Sequence, residues 1–248
     1  MKRLATTDIG AWCAILMFPV FIAGGVLMSA SGASDLIPGT GQSGGDWLAA
    51  VAFDGRFSAG GWLLILMGFL AVVAFVGFYF AMRSAGEALI LAPVLGVAGM
   101  VLVQVSHLIP MGMAYQLAPA YVEHAAEQPT LGAVSDTFAS VSLVLNSAGD
   151  AVVWGVAVPL YAWAVLTTGA APRWVGWLGL LVAVCGGWLG LLAPASGVME
   201  GISGIGFFGF FIFMLSMGIA LLRRRGHRPD LVPPQSRKRR NDPTPAPL

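Results

Sequence analysis

The sequence predicts an all-α, polytopic membrane protein: a bundle of six transmembrane helices with both termini in the cytoplasm. Three observations lead there. Hydrophobic residues make up 57% of the 248-residue chain and charged ones only 10%. That is too little polar material to clothe a water-facing globule, for which about 25% charged is usual. Six continuous apolar runs each approach the ~20 residues that a helix rising 1.5 Å per residue needs to cross a hydrocarbon core about 30 Å thick. When those runs are threaded back and forth, the basic residues fall almost wholly on one side. Barrel strands are excluded, because they would alternate in polarity over roughly ten residues rather than stay apolar throughout.

Taken in order, the runs cover residues 10–31, 60–82, 88–111, 138–168, 174–192 and 202–222, so residues 1–222 form the membrane domain. The first opens after Met-Lys-Arg and closes on "MSASGAS", which imitates a secretory leader. It is longer than a leader core, and Pro19 with Gly24 and Gly25 suits a kinked, packed helix, so it is expected to remain as the first span. Next, "GGDWLAAVAF" reads as a short interfacial helix capped by Asp46. The links "RSAGE" and "GAAPR" are tight and make antiparallel neighbours of the helices they join. Arg83 and Glu87 at the first link are spaced to pair. The stretch "AYQLAPAYVEHAAEQPTLGAVSD", with Glu123, His124, Glu127 and Asp136, reads as a solvated acidic loop. Residues 223–248 carry eight basic residues and six prolines, bury no core, and are expected to be a disordered cytoplasmic tail.

Placing the N-terminus in the cytoplasm puts Lys2, Arg3, Arg83, Arg173, Arg223, Arg224, Arg225, Arg228, Arg237, Lys238, Arg239 and Arg240 inside and leaves Arg56 outside. That asymmetry follows the positive-inside rule, and the other orientation loses it. Trp12, Trp163, Trp174 and Trp177 sit near the inner boundary and Trp62 and Trp188 near the outer one, as interfacial anchors do. Membrane lipids are the expected surroundings, and the "RKRR" cluster suits anionic headgroups at about 1 kcal/mol per basic residue near the surface. No fold or aromatic context supports a nucleic-acid partner. Cys13 and Cys185 lie in apolar runs and behave as small hydrophobes. Gly186 and Gly190 are spaced for close helix packing.

The polar centre lies in the fourth run. Ser142, Asn146, Asp150 and Trp154 recur every four residues and therefore share one helix face. A carboxylate facing lipid near mid-membrane costs at least about 2.5 kcal/mol, so Asp150 is expected to point into the bundle. Gln104 and His107, three apart in the third run, form a counterpart. Each of His107 and Asp150 stands about 28 Å from the cytoplasmic end of its helix, so the two should meet in the outer half of the membrane. There imidazole and carboxylate are placed to share a hydrogen bond, with Gln104 and Asn146 satisfying the remaining lone pairs. Glu200, at the outer start of the sixth run, is a candidate for the same vestibule. Two roles stand open for this group: packing glue between helices, or a pocket that binds a ligand or lipid or relays a proton.

Enzyme chemistry finds little to build on. A catalytic zinc usually takes three protein ligands, and only His107 and His124 lie on the outer side; Glu123 or Glu200 would have to complete a His–Asp–Glu set. No metal or cofactor is therefore implied. A haem would need Met111 or Met113 beside His107, and no Gly-x-Ser-x-Gly or phosphate-cradling loop appears.

With six spans, "PRWVGWLGLL" opening the fifth and "GIALLRRR" ending the sixth, residues 10–225 resemble a large bacterial family of six-helix membrane proteins known only as a domain of unknown function. The resemblance implies a multi-pass protein of the bacterial inner membrane and carries no catalytic residues across. Three classes of function remain: a protein with a polar outer-half pocket, a structural or accessory subunit of a larger membrane assembly, and a membrane-embedded enzyme.

Overall fold

The computed structural model describes residues 5–33, 35–38, 42–195 and 197–226. Among these all regular structure is helical: α1 (Thr6–Ser29), α2 (Gly44–Val51), α3 (Gly55–Met82), α4 (Leu91–Glu123), α5 (Gln128–Val152), α6 (Val158–Thr168), α7 (Arg173–Val182) and α8 (Gly197–Gly226). Six helical stretches are long and apolar enough to cross a membrane: Thr6–Ser29, Gly55–Ala85, Glu87–Glu123, Ala125–Thr168, Arg173–Leu192 and Gly201–Arg224. The helical class and the six apolar stretches expected from the sequence are present. The tail beyond residue 226 lies outside the described residues.

The acidic connection between the third and fourth spans is helix, not loop. The third span runs for 37 residues and the fourth for 44. A hydropathy run measures how much of a helix lies in lipid, not where the helix stops. Pro119 is accommodated inside α4, and α5 opens with a proline in its first turn, where the missing N–H costs no bond. At 33 residues α4 is about 50 Å long, well beyond a hydrocarbon core about 30 Å thick, so the α4–α5 hairpin projects from the bundle.

Helix α2 packs on this hairpin. Its cap is Ser43 rather than Asp46: the Ser43 hydroxyl accepts from the Asp46 N–H (3.2 Å) and donates to the Asp46 carboxylate (2.6 Å). The Gly44 N–H donates to Asp136 on α5 at 2.8 Å, which gives one of the expected loop acids a fastening role. The Trp47 indole is fully buried and donates to the Asp35 carbonyl at 3.1 Å, fixing the α1–α2 connection. Arg83 and Glu87 do not pair. Gly86 between them has φ of 138°, which breaks the helix that would have put them on one face.

Two apolar cores result. The larger fills the bundle around Phe75, Phe78, Tyr161, Phe211 and Phe213. The smaller joins Trp47, Leu48 and Leu36 to Phe57, Met111 and Met113 under α2. Small residues bring the helices close. A Cβ on Gly10 would lie 2.6 Å from the Gly77 Cα, so α1 crosses α3 backbone to backbone. A Cβ on Gly149 would lie 2.6 Å from the Gly99 carbonyl oxygen, which draws α5 onto α4 beside Asp150. Trp12, Trp62, Trp163, Trp174, Trp177 and Trp188 are all exposed, as lipid-facing anchors would be; Trp154 is buried.

Candidate functional site: a chamber between the two cores

Asp150 closes the last α-helical turn of α5, and the chain then passes through a π-helical turn, Val153–Ala157, before α6. A second π turn, Ala183–Trp188, lies against it from the fifth span. Pro159, four residues on, has no N–H to donate to the Gly155 carbonyl oxygen, which accepts from the Trp188 indole at 3.1 Å. The first π turn carries Trp154 inward, where its ring lies over Gly186 and packs on Phe207 and Phe210 with centroids 6.0 and 5.9 Å away.

The result is a chamber of about 280 Å³. Its polar groups are His107 from α4, Asn146 and Asp150 from α5, and Asp35 from the α1–α2 connection. Its apolar walls are Trp154, Phe21, Leu36, Ile37, Leu64, Met67, Met100, Val103, Leu143 and Phe207, Phe210 and Phe211 of α8. Leu36 belongs to the smaller core and Trp154 to the larger, so the chamber occupies their boundary.

Sequence reasoning places His107, Asn146, Asp150 and Trp154 together, and they do line one volume. The hydrogen bonds differ from expectation. Asp150 accepts from Asn146 Nδ2 at 2.8 Å, and the Asn146 oxygen accepts from Ser106 on α4 at 3.3 Å. Ser106 also donates to the Val103 carbonyl. The acid is thus held along its own helix and tied to α4 through a serine. His107 makes no bond to it; its Nδ1 is buried with no hydrogen-bond partner among the described residues.

Gln104 is not part of the group. Its amide fills the notch left by Gly68 on α3, and both of its polar atoms are buried without a hydrogen-bond partner among the described residues. Ser142 turns back on its own helix, donating to the Phe138 carbonyl. The backbone of Glu200 belongs to α8, and its side chain lies outside the described residues. Glu123 ends α4 about 24 Å along the helix from His107 and is exposed, and His124 is exposed beside it, its Nδ1 3.1 Å from the Ala120 carbonyl oxygen. Met111 and Met113 sit in the smaller core. Among the described residues no three His, Cys, Asp or Glu side chains converge on a metal position.

Asp35 was not foreseen. It reads in the sequence as one acid in a polar connection, and nothing local marks it as a chamber residue. One side of it is open to solvent, yet desolvation by its apolar neighbours holds the carboxyl above the usual carboxylate range, against the opposing pull of the Leu36 N–H bond at 2.6 Å.

A second, larger cleft of about 550 Å³ is lined by Gly169, Trp174, Val175, Ile219, Ala220, Arg223 and Arg224 among others. It contains cations but no carboxylate or imidazole. Arg224 donates to the Gly169 carbonyl at its edge.

No protein-family model, curated protein or solved structure matches this chain.

Proposed function

We propose that this multi-pass membrane protein binds a small amphipathic ligand in the chamber around Asp150. One observation carries the reading: a carboxylate held by an amide of its own helix, an imidazole that makes no bond to it, and an indole, from α4, α5 and the π turn, share an unfilled volume. Polar glue between membrane helices needs only a dry mutual contact. Here the imidazole is left without a bond and the acid presents itself to a chamber walled by aromatic rings, the usual makeup of a ligand site.

The setting we propose is the bacterial cytoplasmic membrane with both termini inside. The distribution of basic residues supports that orientation. It puts the chamber in the outer half of the bundle, beneath α2. The cleft with Trp174, Arg223 and Arg224 then faces the cytoplasmic leaflet, where it and the basic tail would meet anionic headgroups.

The test uses a chain with Cys13 and Cys185 replaced by alanine and Val103, a buried wall residue, replaced by cysteine. N-ethylmaleimide should label this cysteine in native membranes. A folded variant that stays unlabelled sinks the reading and favours a closed structural or accessory role. An impermeant maleimide added to intact cells checks orientation at a second position, Ser43→Cys, which should react from outside.

A further inference from the structure

We propose that the ligand of this chamber is a hydrophobic organic cation, an alkyl or aryl ammonium seated between the Asp150 carboxylate and the aromatic walls. The inference rests on the chamber being a ligand site and names the class of molecule it takes.

Charge is the first argument. Two carboxylates, Asp35 and Asp150, line the chamber, and among the described residues no lysine or arginine does. Asp150 receives one hydrogen bond, from the neutral amide of Asn146. A carboxylate withdrawn from water without a cationic partner is costly, and among the described residues the one protonatable group that shares the chamber, His107, makes no bond to Asp150. A positively charged occupant removes that cost, whereas a neutral one leaves it and an anion adds to it.

The walls give the second argument. Trp154 packs with Phe207 and Phe210, and Phe21 stacks on Phe211 with centroids 4.3 Å apart. Aromatic faces attract alkylammonium groups, most strongly where water is excluded, and they solvate the carbon body of the same molecule. They do not replace the water shell of an inorganic cation, which calls for a ring of oxygens. No such ligand cluster exists among the described residues.

Size and hydrogen bonding narrow the class. At about 280 Å³ the chamber lies at the lower edge of the range of about 300–1,000 Å³ typical of small-molecule sites, which suits a small ammonium rather than a whole phospholipid. In its neutral form the His107 ring offers an acceptor to an ammonium N–H. A primary or secondary amine therefore gains a bond that a quaternary one does not.

The experiment uses the full chain in lipid nanodiscs with the Val103→Cys reporter. Its reaction with a cationic methanethiosulfonate should be faster, by at least about tenfold, than with an anionic one of the same size. Benzyltrimethylammonium should slow the labelling. Its neutral carbon isostere should be at least about tenfold weaker as a protector, and benzenesulfonate should not protect. Asp150→Asn should abolish the preference for cations, and Asp150→Glu should retain it. Asp35→Asn serves as a second variant should Asp150→Asn fail to fold, and it should weaken the same preference.

Equal protection by the neutral isostere, labelling that no cation slows, or a preference that survives Asp150→Asn in a folded protein overturns the cation assignment while leaving the chamber intact. A cysteine that no reagent reaches removes the chamber and the assignment together.

Discussion

Asn146 stands one helical turn before Asp150 and bridges it to the neighbouring helix, donating to the carboxylate at 2.8 Å and accepting from Ser106 at 3.3 Å. Removing the amide deprives a half-buried carboxylate of the one hydrogen bond it receives among the described residues. Asn146→Leu should destabilise the protein by about 1–3 kcal/mol. Ser106→Ala, which loses the cross-helix contact and the hydroxyl's bond to the Val103 carbonyl of its own helix but leaves the Asn146 bond to Asp150, should cost less, nearer about 0.6 kcal/mol. Unfolding of the purified variants in mixed detergent micelles measures both.

Gln104 predicts the opposite sign. Both of its amide atoms are buried without a partner. Gln104→Leu keeps much of the shape and removes two unsatisfied groups, each of which costs about 1–3 kcal/mol when desolvated. The variant should melt at the same temperature as the parent or higher. A clear loss of stability would show that the amide makes a bond in the membrane-embedded protein.

The α4–α5 crossing should tolerate no side chain at Gly149, because a Cβ there would meet the Gly99 carbonyl oxygen at 2.6 Å and Val103 besides. Gly149→Val should separate the helices, cost about 1–3 kcal/mol through overpacking, and change the reactivity of a cysteine at position 103. Gly112→Val, on the same helix hairpin where a Cβ would meet nothing, is the control.

Acid should loosen the start of α3. Asp54 caps that helix, accepting from the N–H groups of Arg56 (2.7 Å) and Phe57 (3.2 Å) and from the Arg56 guanidinium at 2.7 Å. The side-chain bond from Arg56 is the chief cause that lowers its pKa to about 2, below the ordinary 3.8. A lowered carboxyl pKa contributes stability above the ordinary value and loses it as pH falls through the folded value. Parent protein should therefore lose thermal stability between pH 4 and about 2, and Asp54→Asn should show a smaller loss over that interval. Equal pH profiles for the two proteins would refute this.

Trp188 predicts a local effect at the paired π turns. Trp188→Phe keeps an aromatic ring at an exposed site but frees the Gly155 carbonyl. A loss of about 1 kcal/mol is expected, with a change in Trp154 fluorescence because the turn that orients it is no longer held.

The spans were legible because lipid imposes one requirement on every crossing residue. His107, Asn146, Asp150 and Trp154 were legible for a related reason: a polar side chain in an apolar run must face inward, and helical spacing says which others face with it. What the sequence did not disclose depended on other kinds of information. The α4–α5 hairpin is helix whose polar end carries no distinctive hydropathy. Helical spacing does not decide whether Asp150 bonds to Asn146 on its own helix or to His107 across the interface, and Gln104 fills a notch left by a glycine 36 positions earlier in the chain. Asp35 enters the chamber only because Trp47 pins the connection that carries it.

Phe21 belongs to α1, and residues 35–37 follow directly from it, so the N-terminal segment both walls the chamber and roofs it. The segment therefore has an architectural duty in this fold. A shorter polypeptide starting beyond Ser31 would expose the bare backbone of Gly77 to lipid, lose the ring that stacks on Phe211, and leave Asp150 in an open gutter rather than an enclosed seat.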